Sequence, residues 1–166
     1  MAKALALQTG TVDPTGSALG VLAQDPAMAL RLAEITVFRD LAIAFRPFGL
    51  SPPEFAALKI IAENPALRMG ELADLMMIRQ PNLLAFISGL QKNGLIDRSR
   101  DTLDKRSFRL TLTADGKELL GRADAAQVAY QARIAEHLGQ DNLERLTHLL
   151  MQLVSLRPLD PEFQPY

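Results

Sequence analysis

Cysteine is absent from the 166 residues, which removes disulfides, thiolate metal sites and cysteine redox chemistry together. Tryptophan is absent as well, and aromatics make up 5% of a chain that is 48% hydrophobic. An apolar fraction built from Ala and Leu favours helices over a sheet sandwich. The two histidines, His137 and His148, fall on different late segments. A zinc site made from them would have to borrow Glu136 or Glu144, so no metal is expected. No nucleophile motif or phosphate-binding glycine loop occurs. Gly10, Gly16 and Gly20 lack the strand–helix setting such a loop needs. The chain therefore reads as a non-enzyme without a cofactor. Charges break every apolar run before about 18 residues, so no membrane span is expected. Ala4-Leu5-Ala6-Leu7 is too short for a signal-peptide core, and a cytoplasmic location is expected.

Net charge is also small, at −1, but it is unevenly placed. Between positions 79 and 109 lie Arg79, Lys92, Arg98, Arg100, Lys105, Arg106 and Arg109, against Asp97, Asp101 and Asp104. That segment is net +4 and the remainder net −5. A basic island on an acidic body suits local contact with phosphates.

What is present reads as mainly α. Residues 1–24 mix Gly, Thr, Pro and Ser without periodicity and are expected to form an extended or mobile arm. Asp25-Pro26 is a cap followed by a helix-starting proline. The helix it opens should reach about Phe45, before Pro47 and Gly49. Its apolar residues, from Leu30 and Ile35 to Ile43, surround most of the helix, which calls for burial on more than one side. Another subunit is the expected second surface. Ser51-Pro52-Pro53-Glu54 is a capping box opening a helix to about Asn64. A short helix is expected from about Gly70 to Met76, with Leu72, Ala73 and Leu75 inward. A further helix runs from Gln80 to Asn93-Gly94, with Leu83, Phe86, Ile87 and Leu90 inward. Residues 95–100 and 107–112 read as the two strands of a hairpin around a polar turn. Thr113 caps a long helix to Leu138, Gly139 breaks it, and a last helix covers about Asp141 to Leu156. The tail from 157 to 166 should be irregular.

Three short helices followed by a basic hairpin is the winged helix-turn-helix order. A helix fits the DNA major groove, and a narrow basic hairpin reaches the adjacent minor groove. The stretch Glu71-Leu72-Ala73-Asp74-Leu75-Met76-Met77-Ile78-Arg79-Gln80-Pro81-Asn82 resembles the helix-turn-helix of the MarR family. Leu90-Gln91-Lys92-Asn93-Gly94-Leu95-Ile96-Asp97-Arg98 resembles that family's helix-to-strand junction. Asp104-Lys105-Arg106 is similar to its wing motif, and Leu112-Thr113-Ala114-Asp115-Gly116 to the entry of its dimerisation helix. The likeness spans about residues 27 to 156. It implies a dimer made by the terminal helices, at 25–50 and 113–156, around a DNA-binding unit at 51–112. It also implies a repressor that binds a palindromic double-stranded operator and is released by a small molecule.

Carried over residue by residue, Arg106 is the wing arginine of the minor groove and Asp104 the acid that orients it. The alternative is a solvated turn with a local ion pair worth under about 1 kcal/mol. Arg98, Arg100, Lys105 and Arg109 are expected phosphate contacts, or else ordinary surface charge. Arg79, Gln80, Pro81, Asn82, Leu84, Ala85 and Ser88 face away from the inward set and are the groove candidates. The resemblance is imperfect here. Met77 stands where the family has a turn glycine, Arg79 where it has a small cap, and positions 84, 85, 88 and 89 are less polar than usual. Leu84 and Ala85 offer contact to thymine methyls rather than base-edge hydrogen bonds.

The resemblance implies an effector between the arms and the winged unit. Arg31, Arg39 and Arg46 share one face of the first helix, and Phe38, Phe45 and Phe55 lie nearby. Arginine beside aromatic walls suits an anionic aromatic or acyl-type ligand. The competing expectation is that these arginines pair with Glu34, Asp40 or a partner subunit. Two other functions stay open: a winged-helix module that binds protein instead of DNA, and a DNA binder without an effector.

Overall fold

The computed structural model describes residues 20–65, 67–100 and 108–156. Six helices and three short strands are described: α1 (Pro26–Phe45), α2 (Pro52–Glu63), β1 (Leu67–Arg68), α3 (Met69–Leu75), α4 (Gln80–Lys92), β2 (Ile96–Arg100), β3 (Phe108–Leu112), α5 (Ala114–Leu138) and α6 (Gln140–Val154). Mainly α with a small β wing is thus the architecture.

Local chemistry fixes the boundaries. Asp25 accepts a hydrogen bond from the Met28 amide at 2.9 Å, and Pro26 takes the first turn of α1. Each such cap is worth about 1 kcal/mol. A 3-10 turn at Arg46–Phe48 and the left-handed Gly49 (φ 66°) then swing the chain into α2. The capping box of α2 is reciprocal. The Glu54 carboxylate accepts from the Ser51 amide at 2.8 Å, while Ser51 Oγ accepts from the Glu54 amide at 3.4 Å. The Arg68 amide donates to the Glu71 carboxylate at 2.8 Å at the start of α3.

The core lies among α2, α3, α4 and the sheet. Leu58, Leu72, Leu83, Ile87, Leu90, Ile96 and Leu110 are fully buried, joined by Phe45 from the end of α1. Each side chain of this size contributes about 1.5–3 kcal/mol on burial. The sheet order is β1-β3-β2, all antiparallel. Leu67 pairs Leu110 and Arg100 pairs Phe108, so the basic strands continue the packed sheet outward.

The junction of wing and arm is tight. Thr113 Oγ1 accepts from the Gly116 amide at 2.9 Å and donates to the Gly94 carbonyl at 2.6 Å. A Cβ on Gly116 would collide with the Leu95 carbonyl, coming within 2.9 Å of its carbon. Only glycine lets α5 start this close to the backbone after α4.

The structure corrects four expectations. Sheet pairing recruits a third strand, β1, too short to show any alternation in sequence. Gly20–Gln24 forms a 3-10 helix instead of belonging wholly to an extended or mobile arm. Leu75 is 58% exposed, not inward, because it closes α3 at the turn toward α4. The last helix stops at Val154, two residues early. The other expected helices stand within a residue or two of their places.

Candidate nucleic-acid interface and effector cavity

Leu83, Ile87 and Leu90 anchor α4 to the core, which aims its opposite side outward. Gln80, Pro81, Asn82, Leu84, Ala85 and Ser88 are all exposed on that side, and Arg79 is exposed at its start. The helix has no side-chain cap at Arg79. Pro81 carries no amide hydrogen, and the Asn82 and Leu83 amides donate to the Arg79 carbonyl at 3.0 and 3.1 Å. The turn before it is held by Met77 at φ 52°, the left-handed conformation that glycine adopts freely. Among the described residues it is the one non-glycine with positive φ. A methionine here costs about 1 kcal/mol of local strain. It leaves an apolar side chain on the surface, 76% exposed.

The wing strands stand beside α4. Arg98 lies over the Phe108 ring at 3.6 Å, a cation–π contact that holds its guanidinium against β3. Arg100 is exposed, and Arg109 is half-buried opposite Ser99. A polar recess of about 460 Å³ separates the wing from the start of α3, with Arg68, Glu71, Gln80 and Arg98 on its walls. Asp104, Lys105 and Arg106 lie outside the described residues.

The expected effector residues divide. Phe38, Phe45 and Phe55 are brought together around a cavity of about 320 Å³ between α1, α2 and α5, completed by Leu41, Pro52, Ala56, Lys59, Ile60 and Gln127. Phe45 and Phe55 stack with centroids 4.4 Å apart. Arg31, Arg39 and Arg46 do not line it. Arg31 pairs with Glu34 at 2.8 Å and Arg39 with Asp40 at 3.2 Å, the local pairing that competed with the ligand reading. Asp40 also meets Arg133 of α5 at 3.5 Å.

The cavity's cation is one that sequence reasoning missed. Lys59 Nζ donates to both carboxylate oxygens of Asp124, at 2.9 and 2.8 Å. That hydrogen bond, opposed by desolvation, holds the ammonium pKa above its ordinary 10.5, so the lysine is charged at neutral pH. No sequence signal links two residues 65 apart. Among the described residues no cluster of His, Asp and Glu is arranged to hold a metal ion. No helix there is long and apolar enough to cross a membrane.

Comparison with known proteins places this geometry. A sequence model of the MarR family matches residues 50–108. The homoprotocatechuate degradative operon repressor of Escherichia coli is 27% identical over 123 residues, 71% of this chain and 83% of that repressor. The transcriptional repressor CouR, solved bound to a 23-mer DNA duplex, is 32% identical with a TM-score of 0.79, over 82% of this chain and 96% of that one. CouR bound to p-coumaroyl-CoA superposes with a TM-score of 0.77 at 29% identity, over 84% of this chain and 98% of that one. An exposed helix beside a basic wing, an apolar cavity under the arm and similarity along most of the chain agree, and the protein belongs to the MarR family of transcriptional regulators.

Proposed function

We propose that this chain is a homodimeric, ligand-responsive transcriptional repressor of the cytoplasm, acting by binding and not by catalysis. The observation that carries the reading is the 32% identity, over 82% of this chain, to a repressor solved on duplex DNA. The exposed face of α4 enters the major groove. Gln80 and Asn82 offer hydrogen bonds to base edges, and Leu84 and Ala85 offer apolar contact. Arg98, Arg100, Lys105 and Arg109 meet phosphates, and Arg106, oriented by Asp104, reaches the minor groove. The dimer forms through α1, α5 and α6. Two-fold symmetry then sets two copies of α4 about 34 Å apart, which calls for a palindromic operator.

The effector enters the cavity at Phe38, Phe45 and Phe55. Its volume, about 320 Å³, is at the small end of ligand sites. Its walls suit an aromatic or acyl body, with the charged group at the rim.

A gel shift on genomic fragments across a salt series tests the reading. A repressor that neutralises phosphates loses affinity steeply, about 10³-fold or more between 50 and 200 mM salt. No retained fragment at low salt would leave a protein-binding module as the better description. Binding that no aromatic or acyl compound relieves would leave a DNA binder without an effector.

A further inference from the structure

The cavity and an ion pair between α2 and α5 share one residue, Lys59. Lys59 is the sole cation among the side chains lining the cavity, whose walls are otherwise almost wholly apolar. The same ammonium is chelated by Asp124. The pair joins α2, part of the winged unit's core, to α5 of the arm. Neither partner is sealed in, with side chains 42% and 35% exposed, so a competing anion has access to the pair. Glu63, one turn on from Lys59, also draws on its charge. Gln127, one turn on from Asp124, is the other polar group at the cavity wall.

We propose, on the footing of the effector reading above, that Lys59 is the anion-reading group of the cavity and Asp124 its built-in competitor. An anionic ligand seats its apolar body against Phe38, Phe45 and Phe55 and takes the Lys59 ammonium from Asp124. Asp124 has no apolar burial to gain, so the ligand's body tips the exchange. Losing the bridge releases one tie between α2 and α5, and with it the setting of the winged unit against the arm. Coupling of this kind is reciprocal. A ligand that must break the bridge binds less tightly because of it, and a protein that lacks the bridge is part-way to the released state.

Cinnamate and cinnamyl alcohol share one body and differ in charge, which makes them the probes. Calorimetry on the full-length wild type, Asp124→Asn and Lys59→Met measures their binding, and fluorescence anisotropy measures affinity for a retained DNA fragment. Melting curves check that each variant is folded. Wild type is expected to prefer cinnamate. Asp124→Asn is expected to bind cinnamate about two- to five-fold tighter, the range of a partly exposed pair, with cinnamyl alcohol unchanged and DNA bound less tightly in the absence of probe. Lys59→Met is expected to lose the preference for the acid. If both probes bind but Asp124→Asn changes neither cinnamate nor DNA affinity, the competition is wrong while the cavity remains an effector site. If neither probe binds the wild type, the cavity reading fails and this inference falls with it.

Discussion

The winged unit and the terminal helices solve the burial problem differently. In the former, α2, α3, α4 and the sheet enclose Leu58, Leu72, Leu83, Ile87, Leu90, Ile96 and Leu110 completely within one chain. The latter remain open. In α1 only Phe45 is buried, while Leu30, Ile35, Phe38 and Ile43 are exposed. In α6 nothing is buried, although Leu143, Leu146, Leu149, Leu150, Leu153 and Val154 form one apolar stripe at helical spacing. Isolated apolar residues on a surface are ordinary, but a continuous stripe is a surface awaiting a partner. The winged unit's core, completed by Phe45 of α1 and by Leu120 and Ala123 of α5, is therefore closed within one chain, and the outer faces of the arms are half of an interface. For a family of two-fold regulators, the missing half is a second copy of the same chain.

Four substitutions sharpen or break this contrast. The largest effect is expected from Leu149→Glu, which puts an unpaired carboxylate on each side of the proposed interface. The dimer should weaken by about 3–5 kcal/mol, read by sedimentation velocity, while the winged unit keeps its helical circular dichroism. A persisting dimer would move the interface off α6. Gly116→Ala should cost about 3 kcal/mol through the forced approach to the Leu95 carbonyl. Chemical denaturation measures it, and the loss should appear whether or not the chains are paired. Arg106→Ala should weaken operator binding by about 1–3 kcal/mol with no change in the dimer; unaltered titration curves would remove the wing from recognition. The smallest is Gly89→Ala in α4. The added methyl meets nothing closer than Glu54 Oε1 at 4.0 Å, so the melting temperature should rise by the equivalent of about 1 kcal/mol.

Features written in adjacent residues were legible in advance. Asp25-Pro26, Ser51 with Glu54, and Thr113 each place a helix start through a side chain that reaches only three positions on. The exposed face of α4 followed from the 3.6-residue period of Leu83, Ile87 and Leu90. The left-handed turn at Met77 was foreshadowed by the glycine that the family resemblance leads one to expect there. Features made by distant parts of the chain were not legible. Leu67–Arg68 is a strand only because β3 offers it a partner. Lys59 belongs to the cavity because α5 brings Asp124 to it. The arginines of α1 were attractive as anion receptors, yet Arg31 and Arg39 have acids within reach on their own helix, and short-range pairing wins. The aromatic half of that expected site does converge, since Phe38, Phe45 and Phe55 come from two helices packed side by side.

Hydroxyl-radical footprinting on a fragment retained by the wild type tests most directly whether two winged units are presented by paired apolar arms. The expected pattern is two protected patches one helical turn, about 34 Å, apart, both lost at the same concentration in Leu149→Glu. One protected patch with the wild type, or an unchanged double pattern from a monomeric Leu149→Glu, would contradict it.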